Sequence, residues 1–344
     1  MSRRVNIGIV GCGDIAERVH IPNVLSIAEA RLAALCDTNE ERLWRVGGKF
    51  NVAPEHLYSH FQDILQRQDV DAVVVCTNNE SHAPISIAAA QAGKHVFVEK
   101  PMALNSSEAM AMIQAAKRHK VKLMVGHYFS FLPNHLEVKR LIQKGTIGQV
   151  FFAQIHGETL VMKPEEGMLL DYACHCVDLL RWYFDNARIK QVAAILQPAF
   201  EGGEDQKEAH VTLIVRFSNG IVGQVGNYWV PGYKNLDVTD RCVRILGTKG
   251  KILTGFTTPG ITVYSAGTLI GRVRGLYQRM PRFAMHPDMP VTQTSYRREL
   301  EDFVNSIRQD REPSVTGYAG LTVLRVLEAA RQSWETGMFV EVEE

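Results

Sequence analysis

Residues 5–16 read Val5-Asn6-Ile7-Gly8-Ile9-Val10-Gly11-Cys12-Gly13-Asp14-Ile15-Ala16. An apolar run too short for a helix, Val5 to Val10, leads into the spacing G-x-G-x-x-A at Gly11, Gly13 and Ala16, and a segment of helical period follows. Gly11 permits a tight turn, Gly13 lets the backbone approach a pyrophosphate, and Ala16 lets helix and strand pack closely. Free N–H groups at the helix start, around Asp14 and Ile15, then face negative charge. The pattern is weak alone, but a strand from Arg31 to Cys36 ends in Asp37, 24 residues beyond Gly13. An acid that bonds the adenosine ribose is expected about there. A carboxylate accepts from both ribose hydroxyls and repels a 2′-phosphate, and no Lys or Arg follows until Arg42. NAD is therefore the expected cofactor, with NADP less favoured.

Outward from this stretch, short apolar runs alternate with helical segments. Further runs lie at Ala72 to Cys76, His95 to Val98 and Leu123 to Val125, and helices are expected near 14–27, 40–50, 81–92 and 106–119. Asn105, with Glu108 three residues on, opens the last of these with a capping-box variant. The alternation is the signature of parallel βαβ units and predicts an α/β chain whose residues 1–126 form a Rossmann domain with a doubly wound parallel sheet.

After Gly126 the texture changes. A helix is expected from Pro133 through Ile142, a strand near 149–156 and a helix across 171–184. Val211, Leu213, Val215 and Phe217 then alternate with Thr212, Ile214 and Arg216. Asn219-Gly220 and Thr248-Lys249-Gly250 supply hairpin turns, and helices near 295–309 and 317–336 close the chain. Residues 127–344 thus predict an α+β domain with an open, mostly antiparallel sheet. Its uncovered face calls for a partner or solvent, which points towards an oligomer.

The 344 residues suit two domains. A hydrophobic share of 46% and a charged share of 22% supply packed cores and argue against disorder. The 38 Lys and Arg nearly cancel the 37 Asp and Glu, leaving no electrostatic case for nucleic acid or an anionic membrane as partner. Six scattered cysteines without a C-x-x-C pair fit free thiols in a reducing compartment. No stretch approaches the ~18 apolar residues of a membrane helix. Ser2-Arg3-Arg4 invites comparison with a twin-arginine export signal, but a strand begins at Val5, so export would remove the central strand. The expected location is cytoplasmic. Between residues 272 and 298 six arginines (272, 274, 279, 282, 297 and 298) face only Asp288, which reads as a solvated arm, an oligomer contact, or a lid bringing Arg to an acidic ligand.

Two further constellations carry chemistry. His95-Val-Phe-Val runs into Glu99-Lys100-Pro101, placing Lys100 at the carboxyl end of a strand, where ligands of open parallel sheets collect. Pro101 biases Lys100 away from helical torsions. If the segment from Asp171 is a helix, spacings of four and three put Asp171, His175 and Asp178 on one stripe, and a carboxylate beside a histidine orients a general base. A histidine capped by its neighbours is the competing explanation. Cys174 and Cys176 project to different sides, so no metal site is expected.

Together Gly11-Cys12-Gly13-Asp14-Ile15-Ala16, Glu99-Lys100-Pro101 and the Asp171/His175 pair, in this order, resemble the glucose–fructose oxidoreductase / inositol dehydrogenase / rhizopine catabolism (Gfo/Idh/MocA) family over essentially the whole chain. The resemblance implies NAD(P)-linked oxidation of a secondary hydroxyl of a sugar, polyol or cyclitol, or the reverse reduction. Lys100 is then expected to hydrogen-bond the reacting oxygen, His175 to take the hydroxyl proton and Asp171 to orient His175. Glu99, His82 and the Thr77-Asn78 backbone are expected to border the nicotinamide half of the cofactor.

The chain departs from its relatives at three points. Thr77-Asn78 replaces Thr-Pro, His127-Tyr128-Phe129-Ser130-Phe131 replaces a run with Asn and Arg, leaving His127 as the candidate cofactor contact there, and Ala173 replaces Gly. Two other functions compete. One is an NAD-retaining glycosidase or epimerase working by transient oxidation. The other is a non-catalytic NAD- or sugar-binding regulator, against which Lys100, Asp171 and His175 together argue.

Overall fold

The computed structural model describes residues 3–159, 167–185, 187–198, 208–230, 241–255, 260–266 and 291–343. Chain contacts divide it into two compact units, 1–128 with 293–324, and 129–292 with 325–344.

In the first unit, apolar runs become six parallel strands: β1 (Val5–Val10), β2 (Ala30–Cys36), β3 (Leu57–Tyr58), β4 (Ala72–Val75), β5 (His95–Val98) and β6 (Leu123–Val125). Their order is β3-β2-β1-β4-β5-β6, so the direction of winding reverses between β1 and β4 and a crevice opens at the carboxyl ends there. Every residue of β4 is buried, as expected for an inner strand covered on both faces. Helices α1 (Ile21–Ser26), α2 (Glu40–Lys49), α3 (Phe61–Gln66), α4 (Asn79–Gln91) and α5 (Ser106–His119) connect the strands.

The capping box expected at α5 forms. Asn105 Oδ1 accepts from the Glu108 N–H at 2.9 Å, while Glu108 Oε2 accepts from the Leu104 N–H at 3.1 Å. The helix expected near 14–27 is present as one helical run over 14–26, with a π turn, Ala16–His20, inserted before α1. Pro22 has no N–H to give, and the Ile21 N–H reaches back five residues to the Ala16 carbonyl. Short β3 and α3 were not expected, because neither is long enough to display a period.

The sequence boundary at 126/127 assigned everything downstream to the second domain, whereas residues 293–324 pack with the first sheet. They include most of α8 (Val291–Arg308) and the start of α9 (Gly317–Thr336). Leu300, Phe303 and Val304 of α8 are buried, and the Phe303 ring meets Phe97 of β5 edge-on at 5.8 Å. Burying each such side chain contributes about 1.5–3 kcal/mol. The amphipathic period of α8 shows that it covers a sheet but not which one.

Among its described residues the second unit holds α6 (Pro133–Gln143), α7 (Cys174–Tyr183), the later turns of α9 and eight strands: β7 (Val150–Thr159), β8 (Ile189–Pro198), β9 (Glu208–Phe217), β10 (Val222–Trp229), β11 (Arg241–Gly247), β12 (Gly250–Gly255), β13 (Ile261–Ser265) and β14 (Val340–Glu341). They lie in the order β13-β12-β11-β7-β10-β9-β8-β14, antiparallel except for β7 against β10. Both expected hairpins are present: β9 and β10 turn at Asn219-Gly220, with Gly220 at φ +86°, and β11 and β12 turn at Thr248-Lys249. Val211, Leu213, Val215 and Phe217 are buried while Thr212 and Ile214 are half-buried, so one face of β9 is core and the other is not.

Of the arginine-rich stretch, positions 272, 274, 279 and 282 lie outside the described residues. Arg297 pairs with Glu301 at 2.8 Å across one turn of α8. All six cysteines are free thiols, and among the described residues no His/Cys/Asp/Glu group suits a metal ion and no helix is long and apolar enough to cross a membrane.

Two stability measurements test this packing. Gly11 holds φ +92°, and a Cβ there would stand 2.6 Å from the Cys76 carbonyl oxygen. Gly11→Ala should lower the unfolding free energy by about 1–3 kcal/mol in denaturant titration. In the other unit His135 is fully buried with Nδ1 2.6 Å from the Tyr183 hydroxyl, and burial pushes its pKa from 6.5 down to about 3. The unfolded chain therefore binds a proton that the folded chain refuses, so this contribution is complete above about pH 6.5 and is lost as pH falls towards 3. Melting midpoints from pH 7 to 4 should fall less steeply in His135→Phe than in the wild type.

Candidate functional site

The carboxyl ends of β1, β2 and β4 border a cavity of about 770 Å³, within the usual span of small-molecule sites. Its lining includes Gly11, Gly13, Asp37, Thr77, Asn78 and Ser81. The two glycines act differently. Gly11 passes the end of β4 where a side chain cannot fit, whereas a Cβ on Gly13 would meet nothing within 4 Å and so faces open space. That arrangement fits the pyrophosphate of a dinucleotide, which needs the backbone bare on the ligand side. Of the neighbouring expected contacts, Ile15 is half-buried and Asp14 is exposed, with Arg18 at 3.9 Å.

Asp37 caps the end of β2 and is buried. Its Oδ2 accepts from the Cys12 N–H at 2.7 Å and its Oδ1 from the Asn39 N–H at 2.8 Å. Arg42, on the first turn of α2, folds back so that Nε and Nη2 donate to Oδ2 and Oδ1, each at 2.8 Å. Burial is the largest single influence and favours the neutral acid. The Arg42 fork and the two amides together outweigh it and hold the carboxyl below the usual carboxylate range. Burial also pushes the adjoining Cys12 and Cys36 thiols up to about 12, so both are neutral at pH 7. Sequence spacing located the acid but took Arg42 as too far along to matter. A helix turn brings that side chain back.

At the end of β5, the Glu99 carboxylate turns inward. Oε1 lies 2.6 Å from His20 Nε2 and Oε2 accepts from the Lys100 N–H at 3.1 Å. Burial works to raise the Glu99 pKa, but the His20 bond and the Lys100 charge and amide outweigh it, so Glu99 is held below its usual range. Gly126 lets this happen, because a Cβ there would press within 3.3 Å of Glu99 Oε2. The Lys100–Pro101 peptide is cis.

His82 lies 2.8 Å from the Pro101 carbonyl through Nδ1 and 3.2 Å from the Thr77 carbonyl through Nε2, linking the loops after β4 and β5. Carbonyl oxygens only accept, so a neutral ring makes one of these bonds at a time and a protonated ring makes both. Ser81 Oγ donates to Asn78 Oδ1 at 2.6 Å, and His127 is buried just past β6. His20 was not singled out from sequence. Its partner is 79 residues away, beyond any local pattern.

In the second unit, Asp171 falls within a π turn, Leu169–Ala173, and His175 on the first turn of α7. The helical run thus carries one wider turn that includes Asp171, four residues before His175, and the α period resumes from Cys174 towards Asp178. Asp178 is taken up by Arg181 at 2.8 Å, with both side chains buried. His175 is buried, and its ring stacks on Phe129 with centroids 4.6 Å apart and planes at 20°. Tyr172 meets the same Phe129 ring edge-on at 6.0 Å. Nothing in the sequence paired Phe129 with His175.

Residues 5–127 match the oxidoreductase family's NAD-binding Rossmann fold, and residues 139–342 match the same family's C-terminal alpha/beta domain. A myo-inositol 2-dehydrogenase of Thermotoga maritima is 29% identical over 351 residues, covering 99% of this chain and 99% of the relative. The aldose-aldose oxidoreductase of Caulobacter crescentus, solved with glycerol, aligns at TM-score 0.84 and 26% identity over 98% of this chain and 100% of its own. Levoglucosan dehydrogenase in complex with NADH shares the fold at TM-score 0.87 and 23% identity over 99% and 100%. With a glycine turn, a buried acid at the end of β2 and a strand-end lysine already in place, both halves of the match agree: the chain belongs to the Gfo/Idh/MocA family of oxidoreductases, an NAD-binding Rossmann domain followed by that family's C-terminal alpha/beta domain.

Proposed function

We propose that the protein oxidises a secondary hydroxyl of a sugar, polyol or cyclitol, or reduces the corresponding ketone, with NAD as redox partner. The observation that carries this reading is the anchorage of Lys100. Its backbone amide is held by the buried Glu99 carboxylate at the carboxyl end of β5, in the unit whose cavity fits the nucleotide. Whole-length relatives named for inositol and aldose oxidation support the substrate class.

When bound, nicotinamide supplies the hydride acceptor or donor. In this reading the chain's own residues manage the oxygen. Lys100 donates a hydrogen bond to it and stabilises developing negative charge. His175 accepts the hydroxyl proton, and its ring is held in one plane by Phe129. Asp171 orients His175. Thr77, Asn78, His82, Glu99 and His127 surround the nicotinamide end, residues 1–126 carry the nucleotide, and residues 127–344 carry substrate and the contacts of a cytoplasmic homodimer or homotetramer.

A panel of sugars, cyclitols and sugar acids, read as NADH absorbance at 340 nm, tests the proposal. Lys100→Ala and His175→Ala should each reduce kcat by at least ~100-fold on the best substrate. Retention of most of the wild-type kcat by either variant would remove that residue from the chemistry.

A further inference from the structure

Asp37 has no acceptor direction to spare. A carboxylate offers about four lone-pair sites, and here two backbone amides and the two arms of the Arg42 fork fill them. The amides belong to the turn after β1 and the start of α2 and cannot leave without unmaking those elements. The fork can leave, since the Arg42 side chain is 42% exposed while that of Asp37 is 4% exposed. The 2′,3′-diol of a ribose presents two O–H donors side by side, as the guanidinium presents two N–H donors. Both need the same carboxylate edge, so they exclude one another.

A displaced guanidinium does not go far. The Arg42 backbone is fixed by the N-cap bond from its own N–H to Asn39 Oδ1 at 2.8 Å, and Arg42 lines the same cavity as Gly11, Gly13, Asp37, Thr38 and Ser59. A planar guanidinium tethered beside the ribose matches a phosphate in charge and fork geometry.

We propose that Arg42 is the second half of the cofactor-selectivity determinant: it competes with the adenosine ribose of NAD for the Asp37 carboxylate, and it is the ligand of a 2′-phosphate once that carboxylate no longer holds it. The inference rests on the reading of Asp37 as the ribose acid of an NAD-dependent oxidoreductase. NADP is refused for two reasons that act together, repulsion by Asp37 and sequestration of the one nearby cation among the described cavity-lining residues.

Isothermal titration of NAD⁺ and NADP⁺ into the wild type, Asp37→Ser, Arg42→Ala and the double variant separates these effects without a turnover assay. Arg42→Ala alone should bind NAD⁺ severalfold more tightly, because nothing has to be displaced. Asp37→Ser should shift the affinity ratio towards NADP⁺ by at least about tenfold, and Asp37→Ser/Arg42→Ala should bind NADP⁺ about tenfold more weakly than Asp37→Ser. Equal NADP⁺ affinity in those two variants, or weaker NAD⁺ binding by Arg42→Ala, would overturn the proposal. Should Asp37→Ser not fold, NAD⁺ binding by Arg42→Ala and Arg42→Gln decides alone, tighter supporting it and weaker refuting it. A wild type that binds no NAD⁺ refutes the functional reading, whereas one that binds NAD⁺ with no Asp37–Arg42 coupling refutes only the role of Arg42.

Discussion

Between the carboxyl ends of β1 and β4 there is no room for a Cβ atom, and the first unit is organised around that crossing. Gly11 alone among residue types passes the Cys76 carbonyl at φ +92° without strain. Because it does, β1 and β4 pair in register from Ile7 with Ala72 to Val10 with Val75, and the winding of the sheet reverses where they part. The same tight passage brings the Cys12 amide onto Asp37. The cavity, the seat of Asp37 and the glycine turn therefore follow from one steric constraint.

Around this point the charged groups are fixed by short-range donors rather than by the protein's overall charge, which is close to zero. Asp37 and Glu99 are both buried carboxylates, and each stays ionised because backbone amides and basic side chains, Arg42 for the one and His20 with Lys100 for the other, outweigh the burial. They differ in what an approaching ligand meets. Arg42 stands half in solvent, while His20 is sealed beneath Glu99 against the Phe97 ring at 5.3 Å. One pair is built to exchange partners and the other to keep a loop in place.

The parts of this arrangement that were legible in the sequence are those encoded by neighbours. Strands β1, β2, β4, β5 and β6 showed as apolar runs, the Asn105–Glu108 box as a three-residue spacing, and both hairpins by their turn residues. Elements set by distant contacts were not legible. Leu57-Tyr58 is too brief to alternate, and the apolar stripe of α8 fits either sheet. The π turn at Ala16–His20 is closed by the Ile21 amide on the Ala16 carbonyl, a bond that no residue spacing announces. Among the residues that line the cavity, Gly11, Gly13 and Asp37 were singled out by spacing. His20, the fold-back of Arg42 and the Phe129 stack depend on partners that only the folded chain assembles. The wide turn at Leu169–Ala173 was not legible either, because no local spacing marks it.

That wide turn has a bearing on how such a chain can diverge. A π turn differs from an α turn by a single insertion, which rotates whatever precedes it by about 100° about the helix axis while leaving the packed turns beyond it untouched. At Leu169–Ala173 the wide turn ends two residues before His175, so gain or loss of one codon would re-aim Asp171 while the buried Cys176, Val177 and Leu180 of α7 stay in place. Length variation of this kind offers a route to altered side-chain placement that preserves the hydrophobic core, and it would be invisible to a comparison that scores substitutions alone.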